Sequence, residues 1–295
     1  MSSDRHATAG TGATWALAVV TLLNFVNYID RFILSAVLPR IKADLHLSDL
    51  QLGLLANAFL VAYFVTSPIF GGLGDRHARP RLMAAGVALW SVATATAGLA
   101  RTFVQLLAAR AMVGVGEAAY ATIAPALLAD CYPPERRGRA FSIFYVAIPV
   151  GAAVGFLLGG ALEGPLGWRA TFFVVGLPGL LLSLLAFGMT DPPRGRFERA
   201  AGPDAPPTTA RDWRVLVRNV PYVGTVAGYA AYTFAVGGLA VWMPTYLERV
   251  RHVDLERANL IVGAVTVVAG LGGTFVGGWL GDRLATRMRE AHLWL

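Results

Sequence analysis

Apolar runs of about 20 residues recur along the whole chain, separated by short polar breaks rich in Arg, Gly and Pro. Such a run is long enough to cross ~30 Å of hydrocarbon as a helix at ~1.5 Å per residue. The pattern predicts eight spans, at about 14–38, 50–73, 81–100, 103–129, 139–162, 169–190, 220–247 and 256–281. All are expected to be helices, because backbone polar groups in lipid must be satisfied within the segment. The first run is too long for the apolar core of a signal peptide and lacks a small-residue cleavage site, so it reads as a retained span.

Composition agrees. Hydrophobic residues make up 56% of the 295 and charged residues only 15%, where a soluble domain carries about a quarter. A single cysteine, Cys131, excludes an internal disulfide framework and a cysteine metal cluster. The five histidines fall in predicted loops or tails without metal-ligand spacing, and no phosphate-binding loop or nucleophile motif is present, so neither a metal site nor an enzyme is expected. The pI near 10.0 does not indicate nucleic acid, because the basic residues lie in short loops between spans. Sixteen basic residues fall on the side of the N-terminus and seven on the other, with Arg31 and Arg110 inside spans. That excess places the N-terminus in the cytoplasm, in a multi-pass protein of a cell membrane, a bacterial inner membrane being the expected one.

The one long break, 191–219, contains "DPPRG" and "AGPDAPPTTARD" and reads as a flexible linker. It divides a six-span unit, 1–190, from a two-span unit, 220–295. The second unit repeats the first. "GGLGDRHARPR" at 71–81 returns as "GGWLGDRLATR" at 277–287, with Asp75 and Asp282 207 residues apart. Pro39 and Pro244 differ by 205, and His46 and His252 by 206. Parallel repeats of this kind mark transporters, and the repeat calls for four further spans after the eighth.

Charges within spans narrow the chemistry. Arg110 and Glu117 are seven residues apart in span 4, on one helix face about 10.5 Å apart, with Gly114 between them and Tyr120 a turn beyond. In span 1, Asn24, Asn27 and Arg31 form a polar stripe flanked by Asp30. Charges in lipid are costly, so these faces are expected to turn inward. Two readings stand. Asp30 is neutralised by Arg31 or Arg110 while the deeper Glu117 exchanges a proton, or the set is an inert ion pair that orients spans 1 and 4. The repeat-equivalent positions of Asp30 and Arg31 are Ala235 and Val236, which confines the ionisable site to the first half. Gly151, Gly155 and Gly159 recur every four residues in span 5, so helices can approach closely there. Asp75 and Arg76 are placed at a helix end, where an Asp near a helix N-terminus meets a favourable dipole.

The 71–81 segment resembles the loop signature G-x-L-x-D-R-x-G-R of the major facilitator superfamily, with Ala78 in place of the second Gly and Pro80 where a basic residue is usual. "NYIDRF", "RAMVGVGEAAYATIAPALLAD", "PPERRGRAFSIFY", "GWRATFF" and "DPPRG" resemble its Spinster-like branch. The resemblance implies an all-α helical bundle with a complete six-helix N-terminal half and two helices of the C-terminal half. It implies proton-driven alternating access for lipid-like or amphipathic solutes such as lysophospholipids, without a cofactor and as a monomer when full length. It also implies that the Asp30–Arg31 step and Glu117 line the cavity, beside which helical spacing places Arg110, Asn27 and Tyr120. Gly71, Asp75, Arg76 and Arg79, with Gly278, Asp282 and Arg283, would form a latch. The span-5 glycines resemble an exporter motif with its Gly-Pro order altered. An exporter of drugs or metabolites and a non-transporting fragment are the alternatives, and sodium in place of the proton stays open.

Overall fold

A computed structural model describes residues 11–197 and 213–285. Eight helices follow in order: α1 (Thr11–Leu45), α2 (Asp49–Arg76), α3 (Arg79–Ala97), α4 (Phe103–Cys131), α5 (Pro134–Phe187), α6 (Trp213–Arg218), α7 (Val220–Arg249) and α8 (Leu255–Ala285). Among the described residues there is no strand. Six helices are long and apolar enough to cross a membrane. One of these, α5, is 54 residues long and contains two spans hinged at Gly167, whose φ of 75° suits glycine. The 19-residue α3 adds the last span, its middle buried by α4 and the second arm of α5. All eight spans expected from the sequence are thus helical. The short α6 lies inside the stretch read as a flexible linker, and Asp191–Phe197 is also placed. Residues 198–212 lie outside the described residues.

Local signals explain the boundaries. Ser48 and Gln51 form a reciprocal capping box at the start of α2, Thr102 accepts from Gln105 N at α4, and Asn219 accepts from Tyr222 N at α7. Pro80 opens α3, where its missing N–H costs nothing.

Helices alternate in direction, so the bundle has a linker side and a far side. On the far side Arg40 pairs with Glu163 at 2.7 Å, and Arg169 with Asp44 at 2.6 Å. The two repeats also meet there. Asn259 Nδ2 of α8 donates to Ala36 O of α1 at 3.0 Å, Gly53 of α2 packs against Trp242 of α7, and Arg249 pairs with Asp49 at 2.8 Å. Towards the linker side, residues 215–239 of α6 and α7 are exposed throughout. Described contacts between the repeats run from the far side to mid-helix, where Gly270 of α8 packs on Pro149 of α5, while the linker-side half of α7 is exposed.

Candidate functional site

The site is built where α1, α2, α3 and α4 converge. Small residues allow that convergence. A Cβ on Gly114 would strike the α2 backbone at Phe59 O, and one on Gly116 would lie 2.6 Å from Trp90 N of α3. "GVGEAA" is therefore a packing element that brings Glu117 to the interior.

Glu117 is fully buried and accepts a charge-assisted hydrogen bond from Arg31 Nη2 at 2.5 Å. Arg31 is also held by aromatic faces: its guanidinium carbon is 4.9 Å from the Tyr28 ring centroid, 4.8 Å from Phe59 and 5.7 Å from Tyr63. Arg110 lies 5.3 Å from the same Phe59 ring. A guanidinium over an aromatic face is stabilised by the ring quadrupole. Phe59 is thus a shared platform for the two in-span arginines, and Tyr28 and Tyr63 complete the cage. These aromatics were not singled out in the sequence, where an aromatic in an apolar span carries no distinguishing signal.

Asp30 is also fully buried, but neither carboxylate oxygen has a hydrogen-bond partner in the protein. Arg31, its sequence neighbour, points away to Glu117. Arg110 is near enough to act on Asp30 electrostatically but forms no salt bridge with it, and its Nε and Nη1 are unbonded. The expected neutralisation of Asp30 by Arg31 or Arg110 is therefore corrected: successive helical residues diverge by about 100°, and α4 takes the arginine. The polar stripe of span 1 also divides. Asn24 Nδ2 donates to Phe144 O of α5 at 2.9 Å, while Asn27 is buried with Nδ2 unbonded.

Tyr120 does not line a cavity with these groups. It is buried in the apolar core, its hydroxyl donates to Val20 O at 2.6 Å, and its ring meets Trp90 edge-on at 5.5 Å. It fastens α4 to α1 and fixes the Trp90 indole. Gly151, Gly155 and Gly159 face α1: a Cβ on Gly151 would meet Phe25 O at 2.6 Å, and one on Gly155 would meet Ile29 O at 2.9 Å.

The latch residues separate into two groups. Asp75 and Arg76 are exposed in the last turn of α2, a helix C-terminus, so the expected favourable N-terminal dipole is absent. Arg79 is buried instead. Its Nη1 donates to Asp130 at 2.5 Å, Nε to Asp191 at 2.7 Å and Nη2 to Pro192 O at 2.7 Å. Arg194 Nη2 donates to Gly74 O and His77 O at 2.9 and 2.7 Å. "DPPRG" is thereby strapped across the α2–α3 turn. Gly71, Gly74 and Asp75 line a cavity of about 210 Å³ beside this network. Asp130, Asp191 and Arg194 were not assigned from sequence, although all three stand in quoted motifs. Their partners are 51 to 120 residues away in the chain. Arg283 closes α8, while the side chains of Gly278 and Asp282 lie outside the described residues. Among the described residues no cluster fit to hold a metal is found.

A bundle of spanning helices built as parallel repeats around a buried charged centre is an architecture found among secondary transporters. The chain matches the Major Facilitator Superfamily over residues 20–291 and belongs to that family. It is 33% identical to protein spinster of Drosophila melanogaster over 98% of this chain and 49% of that protein. It is 37% identical to human protein spinster homolog 1 over 94% of this chain and 55% of that protein. The chain therefore spans about half the length of these relatives. Among solved structures it resembles a bacterial homologue of the human lysosomal transporter Spinster, in an inward-facing, unoccupied conformation. The TM-score is 0.82 and the identity 28%, over 95% of this chain and 64% of that one.

Proposed function

We propose that this chain forms the coupling half of a proton-driven transporter that moves lipid-like or amphipathic solutes by alternating access. The observation that carries the reading is the unequal treatment of two buried carboxyls: Glu117 holds Arg31 in a salt bridge, and Asp30 has no salt bridge or completed hydrogen bond. A buried carboxylate without a partner is costly, so Asp30 needs either a proton or a moving cation. Arg110 is the cation at hand. Exchange between the proton and Arg110 on Asp30 would tie a helix displacement to proton release. The sequence reading gave the proton to Glu117; the salt bridge to Arg31 favours Asp30. Repeats that meet from the far side to mid-helix, with the linker-side half of α7 exposed, suit a cavity open at the linker side, which the excess of arginine assigns to the cytoplasm. The Spinster relatives support the transport class; the amphipathic solute rests on the sequence resemblance.

Uptake tests the reading. Vesicles carrying this half within a full-length transporter should accumulate a fluorescent lysophospholipid under an imposed pH gradient, and Asp30→Asn should abolish that accumulation. Accumulation that ignores both the gradient and the substitution overturns it.

A further inference from the structure

Asp30 has a second set of neighbours, on α3. Trp90 Nε1 and Thr94 Oγ1 are directed at its carboxyl as side-chain donors, yet both stop short of full hydrogen-bond geometry, and both are buried. A buried polar group without a partner costs free energy and calls for a reason. The indole N–H is donor-only and needs an acceptor. In this corner the acceptor beside it is the Asp30 carboxyl. The indole is also held in place: Tyr120 packs edge-on against it at 5.5 Å and is itself anchored to Val20 O. The second arm of α5 presses its backbone on the same region, since a Cβ on Gly179 would lie 3.6 Å from Trp90 Nε1. The charged groups facing Asp30 are Arg110 and Glu117 of α4, and α3 contributes only these neutral donors. We infer that Trp90 and Thr94 are positioning residues of the coupling site, a pair of fixed donors on α3 that close onto the Asp30 carboxylate once its proton has left. The inference rests on the proposal that Asp30 carries the coupled proton. In it, α3 supplies the cradle for the ionised state, and a small approach of α1 to α3 makes both hydrogen bonds at once. Donors that engage only the ionised form favour it, so their removal holds the proton on Asp30 to higher pH.

The test needs no transport. The purified chain in lipid nanodiscs is titrated by infrared spectroscopy, which reads the carbonyl band of a protonated carboxylic acid. Asp30→Asn assigns the band by abolishing it. Trp90→Phe and Thr94→Val should each move the midpoint of its titration upward by about one pH unit, the value of one hydrogen bond to a charged group. Ser91→Ala, on the same helix and packed on Gly179, should leave it in place. If Trp90→Phe does not fold, Thr94→Val alone decides. An unchanged or lowered midpoint overturns the α3 cradle. A band that is missing from the wild-type protein, or that survives Asp30→Asn, overturns the proton-carrier reading instead.

Discussion

His46 and His252, 206 residues apart in sequence, occupy the same left-handed backbone conformation, with φ of 51° and 53°. Each follows the last turn of the first helix of its repeat and redirects the chain into the second. Both turns close with a backbone bond back to the helix, Leu47 N to Lys42 O at 3.1 Å and Val253 N to Leu247 O at 3.0 Å. The repeat therefore extends to backbone geometry.

That conformation is costly for a β-branched residue and free for glycine. His46→Val and His252→Val should each lower the thermal midpoint, by about 1 kcal/mol or more of stability. His46→Gly and His252→Gly should not lower it. Equal tolerance of Val and Gly in thermal unfolding would contradict the shared turn.

The Arg31–Glu117 pair is next. Removing one partner from a buried pair leaves a charge without compensation, typically about 3–5 kcal/mol. Arg31 keeps 26% of its side chain exposed and retains its aromatic cage, so the loss in Glu117→Gln should fall towards about 2 kcal/mol. The double substitution Arg31→Gln/Glu117→Gln should cost less than the two single ones summed. Additivity in denaturant unfolding would show that the contact is not energetically coupled.

Glycines on α5 differ by what surrounds them. Gly151→Ala should force α5 away from α1, at about 1–3 kcal/mol, because its Cβ would meet Phe25 O and Tyr28 Cβ at 2.6 and 2.9 Å. Gly138→Ala meets nothing within 4 Å and should stabilise the helix by up to about 1 kcal/mol. Melting curves of the two variants should move in opposite directions.

At Arg79 the prediction separates two carboxylates. Asp130→Asn should destabilise the linker side by about 3 kcal/mol, since Arg79 is 4% exposed and loses a buried partner. Asp191, at 24% exposure, should cost less, but its loss should free the strap. Limited proteolysis near 191–197 should accelerate in Asp191→Ala and leave Asp130→Asn less affected.

Acid should release the Asp49 ion pairs at the far-side contact between repeats. Hydrogen bonds from Lys42 and Arg249 hold the Asp49 carboxyl below its ordinary range. A lowered folded-state value gives a contribution that is complete above the unfolded-state value, about 3.9. It is lost as pH falls through the folded-state one. The distance distribution between spin labels at Leu50 and Arg251 should stay constant from neutral pH down to about pH 4 and broaden only below that range. Separation that changes near neutrality would require another group.

The sequence by itself determined the spans, the repeat and the presence of charges inside the bundle. Those features are local: an apolar run of sufficient length must be a helix in lipid, as the 14–38 run is in α1, and the offset from Pro39 to Pro244 needs only counting. It also fixed the spacing of Gly151, Gly155 and Gly159, because four-residue recurrence on a helix defines one face. The partners of those groups were decided only by tertiary structure. Asp30 and Arg31 are neighbours in the chain, yet one faces Trp90 and Thr94 while the other reaches Glu117, 86 residues on. Arg79 lies four residues from Asp75, yet only Arg79 is buried, because α4 and the "DPPRG" strap fold over it. Span geometry follows from hydropathy, which each residue carries with it. Charge pairing depends on which helices meet and at what rotation, and that is set by packing across the whole bundle.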